Sequence, residues 1–173
     1  MILKNRQNTS GYFLLLVTLA ALFNACNYSF KDISIPPEVK TARVNFIENK
    51  ARYVNPQLSP QLTDRLRQKI NNQTRLTQVQ GDDAHYEINA RITDYTVTTV
   101  GVANGSSNTN RLRVAVHIKL TNRLDEKKNF EGDVSRNFDF DANQSLQQAE
   151  AAKNDEIVRN ITDEIFNILF SNW

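Results

Sequence analysis

Apolar and polar residues alternate along three long stretches of the chain, a pattern that predicts β-strands with one buried face. The clearest stretch is 111–122, and another covers 129–140. The stretch 84–99 alternates as well, but its apolar phase shifts by one residue near Thr93-Asp94, which predicts a β-bulge. The apolar positions are Tyr86, Ile88, Ala90, Ile92, Tyr95 and Val97; Leu112, Val114, Val116, Ile118 and Leu120; and Phe130, Val134, Phe138 and Phe140.

Shorter patterns predict the segments around these strands. Residues 41–48 alternate too and predict a fourth strand that comes first in the chain. The charged stretch 124–128 predicts a hairpin turn between the last two strands. The stretch 103–110 is polar and contains Gly and Ser, so we expect a flexible loop there. The apolar face of the first strand consists of Ala42, Val44 and Phe46.

Two further stretches have apolar residues at helical spacing. The first, 61–72, follows Ser59-Pro60, a pair typical of a helix N-cap and its first turn. The second begins at Ser145, which forms a capping-box pattern with Gln148, and we expect a break in it at Asn154-Asp155. The apolar stripes are Leu62, Leu66 and Ile70 in the first helix and Ile157, Ile161, Ile165 and Leu169 in the second.

The elements follow one another in the order β-α-β-β-β-α. A helix lies between the first two strands, which indicates that these are parallel and joined by a right-handed crossover. The later strands are joined by short connections, which indicates an antiparallel meander. Because each helix has a single apolar stripe, both should cover the same face of the sheet. The sequence therefore predicts an α+β fold, a four-stranded mixed sheet packed on two helices.

The first 25 residues differ from the rest of the chain. Lys4 and Arg6 precede the apolar run 11–23, which is shorter than the roughly 20 residues that a membrane-spanning helix needs. A basic start followed by a short apolar run is typical of a secretory signal, with a buried helix of the domain as the alternative. The chain has 21 basic and 19 acidic residues. Lys4 and Arg6 are the only charged residues among the first 25, so the rest of the chain carries 19 basic and 19 acidic residues. A neutral domain gives no reason to expect general nucleic-acid binding.

Cys26 is the single cysteine, and it directly follows the apolar run and Ala25. A lone cysteine forms no internal disulfide. The position resembles a bacterial lipobox, in which the cysteine is acylated and the peptide is cut before it, although Phe23 and Asn24 depart from the usual residues. The sequence thus predicts a signal peptide at 1–25, a lipidated extended lead-in at 26–40 and a single domain at 41–173. The alternative is a free or intermolecular thiol.

Motifs that carry chemistry are absent from the sequence. There is no glycine-rich phosphate loop and no recognised nucleophile motif. His85 and His117 could face each other on paired strands near Glu87, but a metal site requires more ligands. We therefore expect no catalytic residues, no metal, no cofactor and no enzymatic activity.

The polar face of the strand at 111–122 repeats basic residues, namely Arg111, Arg113 and Lys119, and we expect Arg91 beside them on the neighbouring strand. One interpretation is an ordinary solvated sheet face with cross-strand pairing to acidic residues. The other is a basic strip that contacts an anionic partner such as lipid phosphates. The acidic candidates are Glu87, Glu131 and Asp133.

Several segments together resemble the lipopolysaccharide-assembly lipoprotein family, LptE. They are Cys26 closely followed by Tyr28 and Phe30; SIPPEVKTARVNFIEN (34–49); LSPQLTDRLRQKINNQTRLTQV (58–79); GDDAHYEINARITDYTV (81–97); and DEIFNILFSNW (163–173). The resemblance implies a small mixed sheet packed on two helices, without enzymatic activity. It also implies a lipid-anchored, periplasm-facing location at the outer membrane.

The resemblance further implies that the domain sits inside the β-barrel LptD as a plug and assembly factor and takes part in lipopolysaccharide delivery to the cell surface. The stretch 103–110 would then be a candidate for insertion into the barrel lumen. An alternative is a lipid-anchored periplasmic scaffold subunit of another envelope complex. A hydrolase with an unrecognised site is a third class, which the missing motifs disfavour.

Overall fold

The computed structural model describes residues 35–103 and 106–171. For residues 101–103 and 106–108 it describes the backbone but not the side chains. The elements are β1 (Thr41–Val44), β2 (Glu48–Asn49), α1 (Leu58–Gln73), β3 (Thr77–Gln78), β4 (Tyr86–Ala103), β5 (Ser106–Asn122), a short 3-10 turn (Glu126–Lys128), β6 (Phe130–Asp141) and α2 (Leu146–Phe170). The signal peptide and Cys26 lie outside the described residues.

The strands form one mixed sheet in the order β3-β1-β4-β5-β6, and β2 also pairs with β4. β1 is parallel to β4 and β3, whereas β4, β5 and β6 form an antiparallel meander. The predicted α+β class and the parallel pairing across α1 are confirmed. The predicted number of strands was too low, because the sheet has six within the described residues. β2 and β3 are two residues long, and so short a strand has no alternation to detect.

The sheet buries one face beneath both helices. Buried side chains of α1, α2 and the strands belong to one hydrophobic cluster, which also includes Ile35 and Val39. The alternation predicted for β5 is confirmed, since all five of its apolar positions are buried. The bulge in β4 is confirmed as well, because the register with β5 shifts between Ile92 and Asp94. Neither helix in the described residues is long and apolar enough to cross a membrane.

The first strand ends earlier than its pattern predicted. Phe46 was expected on the core face, but its side chain is 56% exposed, and Ile47 is fully buried in its place. The chain leaves the ladder here because Ile47 N donates to Thr63 Oγ1 of α1 at 3.0 Å. The guanidinium of Arg67, also on α1, donates to Val44 O at 2.8 Å. Contacts with α1 therefore set the phase of this segment.

Three further local predictions were wrong. Ser106–Asn110 belong to β5, so most of the expected loop at 103–110 is strand, and residues 104–105 lie outside the described residues. Helix α1 begins at Leu58 with Gln57 as its N-cap, so Ser59 is not the cap. Helix α2 continues through Asn154-Asp155 without a break, whereas its predicted capping box between Ser145 and Gln148 is confirmed.

Candidate functional site

The outer face of the sheet, opposite the helices, carries a shallow polar depression with a volume of about 730 Å³. The same alternation that buries the apolar side chains of β4 and β5 turns their polar neighbours onto this face. Asn89 and Arg91 come from β4, and Lys119 comes from β5. The exposed Phe46 and its neighbour Asn45 form the side nearest β1 and β2. The depression therefore combines cations, amides, one aromatic ring and the carboxylates of Glu48 and Glu87.

The strand registers place the basic residues of the predicted strip. Arg91 lies directly opposite His117, and Asn89 lies opposite Lys119. Further along β5, Arg111 and Arg113 lie opposite Thr98 and Thr96 of β4. All four basic residues predicted from the sequence thus occupy one face, but Arg111 and Arg113 lie outside the depression.

Arg111 and Arg113 already have acidic partners. The Nε and Nη2 atoms of Arg111 donate to the two carboxylate oxygens of Asp139 at 2.6 and 2.8 Å. This contact lowers the pKa of the Asp139 carboxyl below its ordinary value. The Nε atom of Arg113 lies 3.4 Å from Oδ2 of Asp94. The contacts of Arg111 and Arg113 therefore agree with the interpretation of a solvated sheet face with cross-strand pairing to acidic residues.

Arg91 and Lys119 behave differently from the two arginines. Both side chains are exposed, and among residues 35–103 and 106–171 neither has an acidic partner within 4.0 Å. Across the β4–β5 ladder they lie opposite His117 and Asn89, respectively. In the neighbouring ladders Glu48 lies opposite Arg91 and Glu131 lies opposite Lys119, but neither forms an ion pair with it. An anion entering the depression would therefore meet two cations that need not release an existing partner.

His117 lies on the same face between two acidic residues of β6. Its Nδ1 atom is 2.9 Å from Oδ1 of Asp133, and its Nε2 atom is 2.8 Å from Oε1 of Glu131. A protonated imidazole can donate to both carboxylates, whereas a neutral one can donate to only one. His85 and His117, which could have faced each other, do not: His117 lies opposite Arg91, and Nδ1 of His85 accepts from Lys40 N at 3.0 Å. In the described part of the chain, no three acidic, His or Cys side chains are arranged to hold a metal ion.

Glu87 closes one end of the depression. Arg123 and Arg43 each lie 2.8 Å from its carboxylate, and Asn45 Nδ2 donates to it at 3.1 Å. Arg43 also pairs with Asp82. The guanidinium of Arg123, followed by that of Arg43, lowers the pKa of Glu87 to about 2. The sequence did not single out Arg43 or Arg123, because their meeting at Glu87 depends on the β1–β4 and β4–β5 registers.

A second polar cluster lies where the loop after β2 meets the start of α2. The hydroxyl of Tyr95 donates to Oε1 of Glu150 at 2.8 Å, and Asn55 Nδ2 donates to the Tyr95 hydroxyl at 3.4 Å. The ring of Tyr53 stacks on that of Tyr95 with a centroid distance of 5.6 Å. Burial, together with Glu150, raises the pKa of Tyr95 above its ordinary value. This cluster ties β4 to α2, and nothing in the local sequence indicated it.

Comparison with known proteins finds a match to one family model, described as LptE, lipopolysaccharide-assembly, over residues 39–169. No curated protein matches the chain significantly. Uncharacterized lipoprotein B from Nitrosomonas europaea has a similar structure, with a TM-score of 0.52 and 11% identity over 82% of this chain and 85% of that one. A protein of Xanthomonas campestris is similar with a TM-score of 0.50 and 9% identity, covering 79% and 89% of the two chains. At these identities the two structures show a shared fold.

Proposed function

The chain belongs to the LptE family of lipopolysaccharide-assembly proteins, and on this premise we propose that it occupies and helps to assemble an LptD-type β-barrel in the outer membrane and assists lipopolysaccharide transport to the cell surface. The observation that carries the proposal is the family match over 39–169, which spans β1 to nearly the end of α2. The α+β fold with two helices on one face of a mixed sheet agrees with that membership.

The proposal includes a lipid anchor at Cys26 after removal of residues 1–25. The support comes from the sequence, where a basic start and a short apolar run end at a single cysteine. Each buried CH₂ of an acyl chain contributes about 0.8 kcal/mol, and one chain alone holds a protein only marginally. A multiply acylated Cys26 would therefore keep the domain, 41–173, at the periplasmic side of the outer membrane.

We also propose that the role is non-enzymatic. On the outer face, Glu87 is held by two arginines, and His117 lies between two carboxylates. These contacts hold the side chains in fixed pairs. A general acid or base instead needs a group within hydrogen-bonding reach of a substrate and free to exchange its proton.

The depression on the outer face is the proposed contact for the anionic parts of lipopolysaccharide. Of the four basic residues predicted from the sequence, Arg91 and Lys119 fit this role best, because they lack acidic partners in the described structure. Arg111 and Arg113 would first have to leave Asp139 and Asp94. We therefore assign the primary contact to Arg91 and Lys119 and a secondary one to the two arginines.

The test is a pull-down of the tagged full-length chain from outer-membrane extracts. We expect one large β-barrel protein to co-purify, and depletion of the chain to cause lipopolysaccharide to accumulate inside the envelope. A tagged chain with Cys26→Ala controls for loss of anchoring. Recovery of periplasmic or inner-membrane subunits without a barrel would instead favour a scaffold of another envelope complex and would reject the proposal.

A further inference from the structure

Strand β4 continues far beyond the neighbours on one of its sides. β1 pairs with residues 86–88 and β2 with residues 91–92. The last backbone bond on this side is donated by Lys50 N to Ile92 O at 2.9 Å. Within the described residues, no strand pairs with this side of β4 beyond that point. We call residues 95–103 of β4 the β4 edge.

A sheet edge of this length exposes backbone N–H and C=O groups that can pair with another strand. Proteins usually protect such edges with charged residues or proline. The β4 edge has the sequence YTVTTVGVA, which contains neither, and six of its nine residues are Thr or Val. β6, at the other end of the sheet, differs, because it has five charged residues: Glu131, Asp133, Arg136, Asp139 and Asp141.

The side chains of residues 96–100 of the β4 edge are exposed, whereas Tyr95 is buried. Val97 is 39% exposed and Val100 is 45% exposed, and the threonines between Tyr95 and Val100 are exposed as well. On the opposite side, β5 pairs with the edge and holds it in extended form. The edge is therefore a preformed strand with unshielded backbone groups and uncovered valines, which is the arrangement that β-strand addition requires.

We propose that the β4 edge pairs with an extended segment of the β-barrel partner, which adds a strand to the sheet. This inference rests on the proposed function. Cross-strand complementarity requires an uncharged segment with apolar residues beside Val97 and Val100 and polar residues beside the threonines. The segment would give the barrel a hydrogen-bonded attachment to the domain, separate from the polar depression.

Size argues for a barrel segment and against a second copy of this chain. Stable interfaces between separate proteins bury about 1,200–2,000 Å² in total, which is more than one short strand pair provides. A partner that already surrounds the domain supplies the remaining contacts, and the strand pairing then occurs at a high effective concentration.

The test compares amide hydrogen exchange at single-residue resolution in the free chain and in the purified complex with the barrel. Strand addition protects every second amide, because successive N–H groups of a strand point to opposite sides. We expect alternate amides of the β4 edge to exchange at least about ten-fold more slowly in the complex, whereas ordinary burial would slow consecutive amides alike. Residues 131–139 of β6 provide the internal comparison.

A charged variant provides the second measurement. Val97→Lys with Val100→Lys should abolish the alternating protection while leaving the far-ultraviolet circular dichroism unchanged. Leu124→Lys is the matched control, because Leu124 is 49% exposed and follows the end of β5, where Asn122 pairs with Tyr86 at the opposite end of β4. If the barrel co-purifies without alternating protection, the inference is wrong and the proposed function stands.

Two other outcomes also decide the question. If no barrel co-purifies, the proposed function fails and the barrel is excluded as the occupant of the edge. If alternating protection develops in the free chain as its concentration rises, together with a doubling of mass, a second copy occupies the edge and the inference is overturned.

Discussion

Arg111 and Asp139 face each other directly across β5 and β6, and two nitrogens of the guanidinium donate to the two oxygens of the carboxylate. Arg91 and Lys119, on the same sheet face, have no such partner in the described structure. Basic residues that look equivalent in the sequence thus differ in their availability to an anion. This difference predicts which charge-reversal variants should weaken anion binding most.

We expect Arg91→Glu with Lys119→Glu to weaken binding to lipopolysaccharide and to phosphatidylglycerol vesicles by about five-fold per residue, on the order of 1 kcal/mol each. Arg111→Glu with Arg113→Glu is the matched control, and it should weaken binding less, because those side chains already contact carboxylates. Vesicle co-sedimentation measures both variants, with zwitterionic vesicles as the blank. Equal losses for the two pairs would remove the depression as the primary contact.

Glu87→Gln should destabilise the domain at neutral pH by about 2 kcal/mol, since the variant removes the charge that Arg123 and Arg43 share. The folded-state pKa of Glu87 is about 2, below the ordinary value of 4.5. Its contribution to stability is therefore complete above pH 4.5 and is lost as the pH falls toward 2. Urea unfolding measures this effect. The free energy of unfolding of the variant should be well below that of the wild type at pH 7 and close to it at pH 2.5.

The control for this prediction is Glu48→Gln, because Glu48 pairs only with the exposed Lys50 in the described structure. An exposed pair contributes about 0–1 kcal/mol, so this variant should match the wild type closely at both pH values. A Glu87→Gln effect that stays the same between pH 7 and pH 2.5 would contradict the charge-based explanation.

Tyr95→Phe should lower the free energy of unfolding by about 1–2 kcal/mol, because it leaves the carboxylate of Glu150 without its buried donor. Tyr53→Phe is the comparison. Its hydroxyl lies 3.5 Å from Glu150 and its side chain is 41% exposed, so we expect little change. Chemical denaturation of both variants provides the measurement, and equal midpoints for the two would refute the assignment.

Gly132→Ala should destabilise the domain by about 1–2 kcal/mol through overpacking. A Cβ at Gly132 would lie 2.7 Å from Cζ of Phe130, whose ring packs against the core. Gly81→Ala is the control, since a Cβ there would meet the side chain of the exposed Asp83, which can move away. In a Phe130→Ala background the ring that the new Cβ would meet is absent, so adding Gly132→Ala should lower the melting temperature only slightly further. Thermal melts measure this difference.

Metabolic labelling with palmitate tests the predicted anchor. We expect the wild-type chain to incorporate label and Cys26→Ala to incorporate none, because Cys26 is the single thiol in the sequence. Fractionation should move the variant from the membrane to the soluble periplasmic fraction. Equal labelling of the two chains would reject the lipoprotein prediction.

The sequence predicted those parts of the fold that depend on local periodicity. The buried faces of β4, β5 and β6 and the stripe of α2 follow from spacing, and the structure confirms most of their positions. Val97 is the exception: it was predicted on the apolar face of β4, but it is 39% exposed. Phe46 was placed on the wrong face because its phase depends on Thr63, which lies on a different element. The stretch 103–110 resembled a loop in composition, but most of it is strand because β4 pairs with it.

The sequence predicted which basic residues share the outer face, but not which of them have acidic partners. Arg91, Lys119, Arg111 and Arg113 were recognised because basic residues recur at strand spacing on one face. Their division into paired and unpaired residues follows from the β4–β5 and β5–β6 registers, which a single sequence does not contain. For the same reason the sequence could not indicate that Arg43 and Arg123 meet at Glu87, or that Tyr95 meets Glu150.

The bulge in β4 also decides which face of the sheet each side chain from Asp94 to Thr99 occupies. Ile92 and Tyr95 are an odd number of residues apart, yet both point inward, because Thr93 is the extra residue between two ladder pairs. In a regular ladder Tyr95 would face outward, and the Asp94 carboxylate would face the apolar core. Removing Thr93 would therefore straighten the strand and leave every later side chain on its present face. Inserting one regularly paired residue between Asp94 and Thr99 would instead move the side chains that follow it, up to Thr99, to the opposite face of the sheet.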